Sequence, residues 1–199
     1  LTELPRFVAR RSRTDAAHLG AGIILAPSLA YMDRAHASAR LEGMSREPIV
    51  EMLIPSTLDD TLAPQGRHVA SLFCQHFDYV LAREDAPQRT WDDATLRTQA
   101  IERIFDTIER RAPGFRASLL GHSALSPYDL ERRFGLAGGD IFHGALGLDQ
   151  LWAARPALGY GDYRTPVAGL FLCGSGAHPG GGVTGLPGRN AARAIRRAL

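Results

Sequence analysis

The sequence predicts an α+β protein: a mixed, largely antiparallel sheet with helices on one face, then a C-terminal strand, glycine-rich turn and helix. Three observations predict this. Short apolar runs bounded by Pro and Gly recur through the chain and read as strands. Two longer segments carry apolar residues at helical spacing behind capping residues. The last third changes character, becoming rich in Gly before it ends in an Arg-bearing helix.

In order, 6–11 (RFVARR) reads as a short alternating strand and 21–26 (AGIILA) as a buried one stopped by Pro27. Ser28 then caps a helix over 29–42 that Gly43 ends. Leu29, Met32, Ala35, His36 and Ala39 share one face of it. Residues 49–54 are β-like and stop at Pro55; 56–67 is a polar loop. The run 68–76 is apolar on both faces, which places it centrally in the sheet. The strongest helix covers 91–111, with Thr90 as N-cap and Asp92 and Asp93 in the first turn. Leu96, Ala100, Ile101, Ile104, Phe105 and Ile108 form its apolar stripe, and Pro113-Gly114 stops it. A strand follows at 115–121. Ser126-Pro127-Tyr128-Asp129 is a capping box opening a short helix that Gly135 ends. Residues 136–168 are Gly- and Pro-rich with little periodicity. The run 167–173 (VAGLFLC) reads as a buried strand, and 186–198 as the last helix.

Composition excludes several chemistries. With 199 residues, 45% apolar and 22% charged, the chain is an ordinary globular one with room for a sizeable core. A net charge of +2 gives no sign of a nucleic-acid partner. All 23 basic residues are Arg, so Schiff-base, pyridoxal-phosphate and Walker-A lysine chemistry is absent. Cys74 and Cys173 form no C-x-x-C, and the scattered His18, His36, His68, His76 and His122 show no ligand spacing, so no metal site is expected. The two cysteines are expected to stay unpaired, in a cytoplasmic setting. No run approaches the roughly 18 apolar residues of a membrane-spanning helix.

The chemistry concentrates at 174–185, GSGAHPGGGVTG, with six glycines in twelve residues. Strand, glycine turn and helix in that order build a place for an anion: glycine admits a ligand to the backbone, and the helix start supplies free N–H groups and a positive dipole end. Gly180-x-Gly182-x-x-Gly185 matches the dinucleotide fingerprint by letter. It lies six residues past the strand, with no second strand and no acidic residue after it, so it is not a primary Rossmann fingerprint. A flexible turn is the plainer reading of the same letters. The arginines 164, 189, 193, 196 and 197, with no acid after Asp162, favour an anion; those at the helix end also answer the helix dipole. G-x-S-x-G is absent around Ser123 and Ser175, which argues against a hydrolase.

The run GLFLCGSGAHPGGGVTGLPGRNAARAI resembles the C-terminal FAD-contacting motif of the phytoene desaturase (carotenoid desaturase) family. The likeness is greatest to the branch of pyridine nucleotide-disulfide oxidoreductase domain-containing proteins. PSTLDDTLAPQGRHVASLF, SPYDLERRFGLAGGDIFHG and LDQLWAARP agree in order, over about residues 50–199. The resemblance implies a two-domain FAD flavoprotein that passes a hydride from an apolar small molecule to the flavin. It implies that 1–160 is most of a substrate-binding domain and 161–199 a returning segment of the FAD domain. The N-terminal Rossmann part is then expected to lie outside this chain, leaving a half-site for FAD and little activity in the chain alone. It places Gly174, Ser175 and Gly176 at the ribityl and pyrophosphate, and Gly181, Gly182, Val183, Thr184 and Gly185 at the flavin end.

His143 and His178 are the candidate acid–base residues; each also reads as a hydrogen-bonded loop histidine, and His178 as a solvated one. Asp140, Asp149 and Arg155 read as structural partners. Alternatives are a non-catalytic binding module like the Rab GDP-dissociation inhibitors, or an inactive fragment. The expected partners are an apolar small molecule, no nucleic acid, a peripheral membrane contact at most, and a second copy through apolar surface left by the absent domain.

Overall fold

A computed structural model describes residues 1–8, 16–81, 90–142, 144 and 146–198. The chain divides into two compact units, Leu1–Leu130 and Glu131–Leu199.

The first unit is built on three antiparallel strands, β1 (Ile23–Leu25), β2 (Met44–Leu53) and β3 (Ser71–Phe77), in the order β1-β2-β3. β1 pairs Ile23 with Met52 and Leu25 with Val50; β3 pairs Cys74 with Val50 and Leu72 with Met52. The register shifts between Met44 and Ile49, where Pro48 has no N–H to give the ladder. β2 is therefore the central strand and starts five residues before the expected 49. The expected central position of 68–76 is corrected: among the described residues β3 is an edge. Leu72 and Cys74 pack inward, whereas Phe73 is exposed, so apolar residues on both faces did not mark a covered strand here.

Helix α1 (Leu29–Glu42) has the predicted caps. Ser28 Oγ accepts the Tyr31 N–H at 3.2 Å, and Gly43, at φ 80°, donates its N–H to the Ala39 carbonyl. A Cβ on Gly43 would sit 3.0–3.1 Å from Leu81. The buried face is Tyr31, Ala35 and Ala39, not the expected stripe: Leu29 is 79% exposed, and Met32 and His36 are exposed too. Tyr31 decides the rotation, because its hydroxyl donates to the buried Pro48 carbonyl at 2.9 Å.

Helix α2 (Ala94–Glu109) starts three residues later than expected, since Asp93 rather than Thr90 caps it, accepting from Thr95 and Leu96. Trp91 instead turns inward onto Met44, Leu81 and Leu96, its Nε1 donating to the Asp78 carbonyl. Phe105 and Ile108 pack with Leu25, Val50, Met52 and Phe115 in the main core. α1 forms a separate cluster of Tyr31, Ala35 and Ile49, so α1 and α2 do not share one packing centre as a single helical face would give.

The expected strand 115–121 is instead the helical turn α3 (Phe115–Ser118). Gly114 reverses the chain at φ 91°, and the Glu109 carboxylate accepts the N–H groups of Arg116 and Gly114 at 2.9 and 2.8 Å. The described part of the expected 6–11 strand is not a strand; the Val8 N–H donates to the Arg111 carbonyl at 2.9 Å, and 9–11 lie outside the described residues. The capping box is present at α4 (Pro127–Phe134), Ser126 and Asp129 bonding reciprocally at 2.7–3.2 Å. Asp129 also takes both arms of Arg97 at 2.6 and 2.9 Å.

In the second unit, short turns lead to α5 (Leu186–Ala198), as predicted. The expected buried strand at 167–173 is corrected. It makes one isolated bridge, Arg164 to Phe171, and Val167, Leu170 and Leu172 are exposed. No strand lies beside it among the described residues, so its backbone bonds locally, Thr165 N–H to Leu170 carbonyl and Leu172 N–H to Tyr163 carbonyl. No described helix is long and apolar enough to cross a membrane.

Candidate functional site

The 174–185 loop has two halves with different roles. Residues 174–180 are folded down by two successive turns, the Ala177 N–H donating to the Gly174 carbonyl at 3.0 Å and the Gly180 N–H to the Ala177 carbonyl at 2.8 Å. Ala177 is buried beneath them. Residues 181–185 run out into solvent just ahead of α5.

The first half is tied to the segment before it. Arg155, 2% exposed, donates from Nε and Nη2 to the Ser175 carbonyl at 3.2 and 2.8 Å. His178 Nδ1 accepts the Trp152 N–H at 3.1 Å. An accepting Nδ1 carries no proton, so the ring proton of neutral His178 sits on Nε2. The His178 carbonyl accepts from the Tyr163 hydroxyl at 2.8 Å, and that oxygen accepts from Asn190 Nδ2 at 2.8 Å. Trp152, Arg155, Tyr163 and Asn190 thus fix the loop from three separate places in the sequence.

The second half presents backbone. The N–H groups of Gly181, Gly182 and Val183 have no acceptor among the described residues. Gly182 and Gly185 have φ of 105° and 70°, and Val183 has φ 54°, rare for a β-branched residue. Its side chain is fully exposed at 105%. Thr184 Oγ1 accepts the Leu186 N–H at 3.2 Å, which starts the helix without using the three N–H groups ahead of it. A Cβ on Gly174, Gly176 or Gly185 would meet nothing within 4 Å, so the backbone there faces open space.

Charge agrees with the donors. No Asp or Glu follows Asp162, and Asp162 is paired with Arg164 at 3.2 Å. Exposed N–H groups, a helix start and no carboxylate make a donor set that suits a negatively charged group such as a phosphate or a flavin anion. The residues present therefore fit the FAD that the motif implies.

The sequence-predicted residues divide accordingly. Gly174, Ser175 and Gly176 belong to the folded half; Gly181, Gly182, Val183, Thr184 and Gly185 form the exposed half. His178 is held in the folded half. His143 lies outside the described residues. Asp140 does serve structure, its carboxylate accepting the N–H groups of Phe142 and Gly144 at 2.7 and 2.6 Å. Sequence reasoning missed the contribution of Trp152 and Tyr163 and gave Arg155 no contact with the loop. One signal was present: an Arg beside Pro156 in the otherwise uncharged run LWAARPAL.

Cys74 and Cys173 are both free, as expected, and burial pushes the Cys74 thiol up to about 12. Among the described residues, no group of three His, Cys, Asp or Glu could hold a metal.

Known oxidoreductases are similar to this chain over most of its length. It is 56% identical over 155 residues to "Pyridine nucleotide-disulfide oxidoreductase domain-containing protein 2" of Rattus norvegicus, covering 78% of this chain and 26% of the relative. It is 37% identical over 167 residues to a limonene dehydrogenase subunit of Castellaniella defragrans, covering 82% of this chain and 30% of that one. It is 28% identical over 149 residues to "Phytoene desaturase (lycopene-forming)" of Pantoea ananas, covering 74% and 28%. These likenesses support an oxidoreductase family for the chain. No protein-family model matches it. The chain spans about a quarter of the length of the curated relatives it matches.

Proposed function

We propose that the chain is the C-terminal portion of an FAD-dependent oxidoreductase of phytoene dehydrogenase type. On this reading, residues up to about 160 contribute to the substrate domain, and 161–199 return to complete the FAD domain. The observation that carries the proposal is the row of exposed N–H groups at Gly181, Gly182 and Val183, without an acceptor among the described residues, set before α5 in a segment free of carboxylates. When bound, the flavin supplies the hydride acceptor. The chain's own work is binding and orientation. Gly181–Val183 give the backbone donors, and the α5 start favours negative charge at the flavin end. Thr184 keeps the helix start in place, and Val183 leaves its apolar side chain fully exposed beside these donors. Chemistry that resides in the cofactor needs no sharp catalytic triad, in keeping with this sequence.

The names of the relatives, a limonene dehydrogenase subunit and phytoene desaturases, support an apolar hydrocarbon-like substrate. The test uses the longer protein, in which this chain is joined to the upstream dinucleotide-binding region that the reading requires. The purified protein shows a flavin absorption band, and anaerobic addition of a terpene or polyene bleaches it. A colourless protein, or a flavin band bleached only by polar substrates, would contradict the proposal.

A further inference from the structure

We infer that Arg155 is a positioning residue of the glycine loop: it holds the Ser175 carbonyl from the buried side and brings to the loop a positive charge that prepares it for the anionic part of a nucleotide. This rests on the flavin reading above. Arg155 is buried more completely than any other charged residue among those described. A guanidinium stays charged when buried, since it does not give up its proton in proteins. Its two hydrogen bonds converge on one neutral acceptor, the Ser175 carbonyl. It forms no ion pair among the described residues: Asp162 is engaged with Arg164, and Asp140 with its own turn. A buried charge offset by one carbonyl is costly to keep in a fold that could use an apolar residue.

Its position gives the cost a use. Ser175 lies in the first turn of the folded half of the loop, and a Cβ added to Gly180, the last residue of that half, would lie 3.8 Å from Arg155 Nε. The guanidinium therefore reaches both ends of the segment that delivers Gly181–Val183 to solvent. Nη1 takes no part in the bonds to Ser175.

The experiment compares Arg155→Lys, which keeps charge and one donor, with Arg155→Gln, which keeps a donor without charge. The full 199-residue chain is titrated with inorganic pyrophosphate, FAD and uncharged riboflavin. Binding is read from the amide resonances of the whole loop, residues 174–178 and 180–185, with circular dichroism reporting the fold. Pyrophosphate and FAD are expected to move these amides in the parent and Lys chains and to bind the Gln chain about 10–100-fold more weakly. Riboflavin is expected to bind all three alike. Equal pyrophosphate affinity in the Lys and Gln chains would overturn the inference, since a purely structural Arg155 would be replaced equally well by either. No pyrophosphate shift in the parent chain would overturn it as well. Should the Gln chain unfold, the Arg155 Nε–H resonance of the parent chain decides: it moves with pyrophosphate, or the inference fails. Pyrophosphate binding with the expected Lys–Gln contrast but no FAD binding would remove the flavin reading alone. FAD binding unchanged in the Gln chain would remove the role of Arg155 alone.

Discussion

His178 shows how a residue suited to acid–base work can be occupied by architecture. Its Nδ1 accepts the Trp152 N–H, and its carbonyl accepts from Tyr163. Asn places a carbonyl oxygen close to the position of Nδ1, whereas Gln extends past it. We predict that His178→Asn keeps the Trp152 amide protected from hydrogen exchange, while His178→Gln and His178→Ala lose that protection; equal protection in all three would contradict the staple. The cysteines give a second prediction. Cys74 is largely buried in β3 with its thiol pushed up to about 12, and Cys173 is exposed. Near pH 8 the native protein should show one fast thiol toward a disulfide reagent and two after denaturation without reductant. Two fast thiols in the native state, or none after denaturation, would contradict the fold around β3. The loop glycines and His178 were legible in the sequence because their density is local. Arg155 was not, because its partner lies twenty residues away and only the fold brings them together.

Among the elements, helices with chemical punctuation were legible and strands were much less so. Ser28 and Gly43 bound α1 where the sequence said, and Ser126-x-x-Asp129 opens α4 as a capping box. Apolar runs misled: 115–121 became the turn α3, because Glu109 offers its carboxylate to the backbone N–H groups past Gly114. The run 167–173 has strand composition, yet it has no neighbouring strand among the described residues to pair with. Asp129 is the element-scale test. The Arg97 guanidinium, then the Ser126 hydroxyl and N–H, hold its carboxyl well below the usual carboxylate range. A carboxyl depressed in the folded state stabilises the fold fully above its unfolded value, near 4, and loses that contribution as pH falls toward the folded value. Asp129→Asn should therefore cost about 1–3 kcal/mol at pH 7, with the difference from the parent shrinking below about pH 4. Urea unfolding at several pH values measures it; a pH-independent difference would contradict the Arg97–Asp129 account.

For the whole molecule, the two units divide the work. The unit Leu1–Leu130 holds the sheet and the main core. The unit Glu131–Leu199 carries the glycine loop and exposes Leu148, Trp152, Leu158, Val167 and Val183. In the flavin reading proposed above, the rest of the FAD domain would cover these apolar side chains. The broad α+β class was legible, as was the loop–helix order of the last third. The sheet's central strand was not, because centrality depends on pairing and not on the composition of one run. The central claim, that the loop is a flavin site, is tested most directly by titrating FAD against the longer protein and following flavin fluorescence, with and without Gly182→Val. Gly182 has a positive φ and stands among the exposed donors, so a branched side chain there both strains the backbone and blocks the approach of a ligand. The account predicts tight binding by the parent protein, binding weakened at least about tenfold by Gly182→Val, and weak binding by the 199-residue chain alone. Affinity unchanged by Gly182→Val would contradict it.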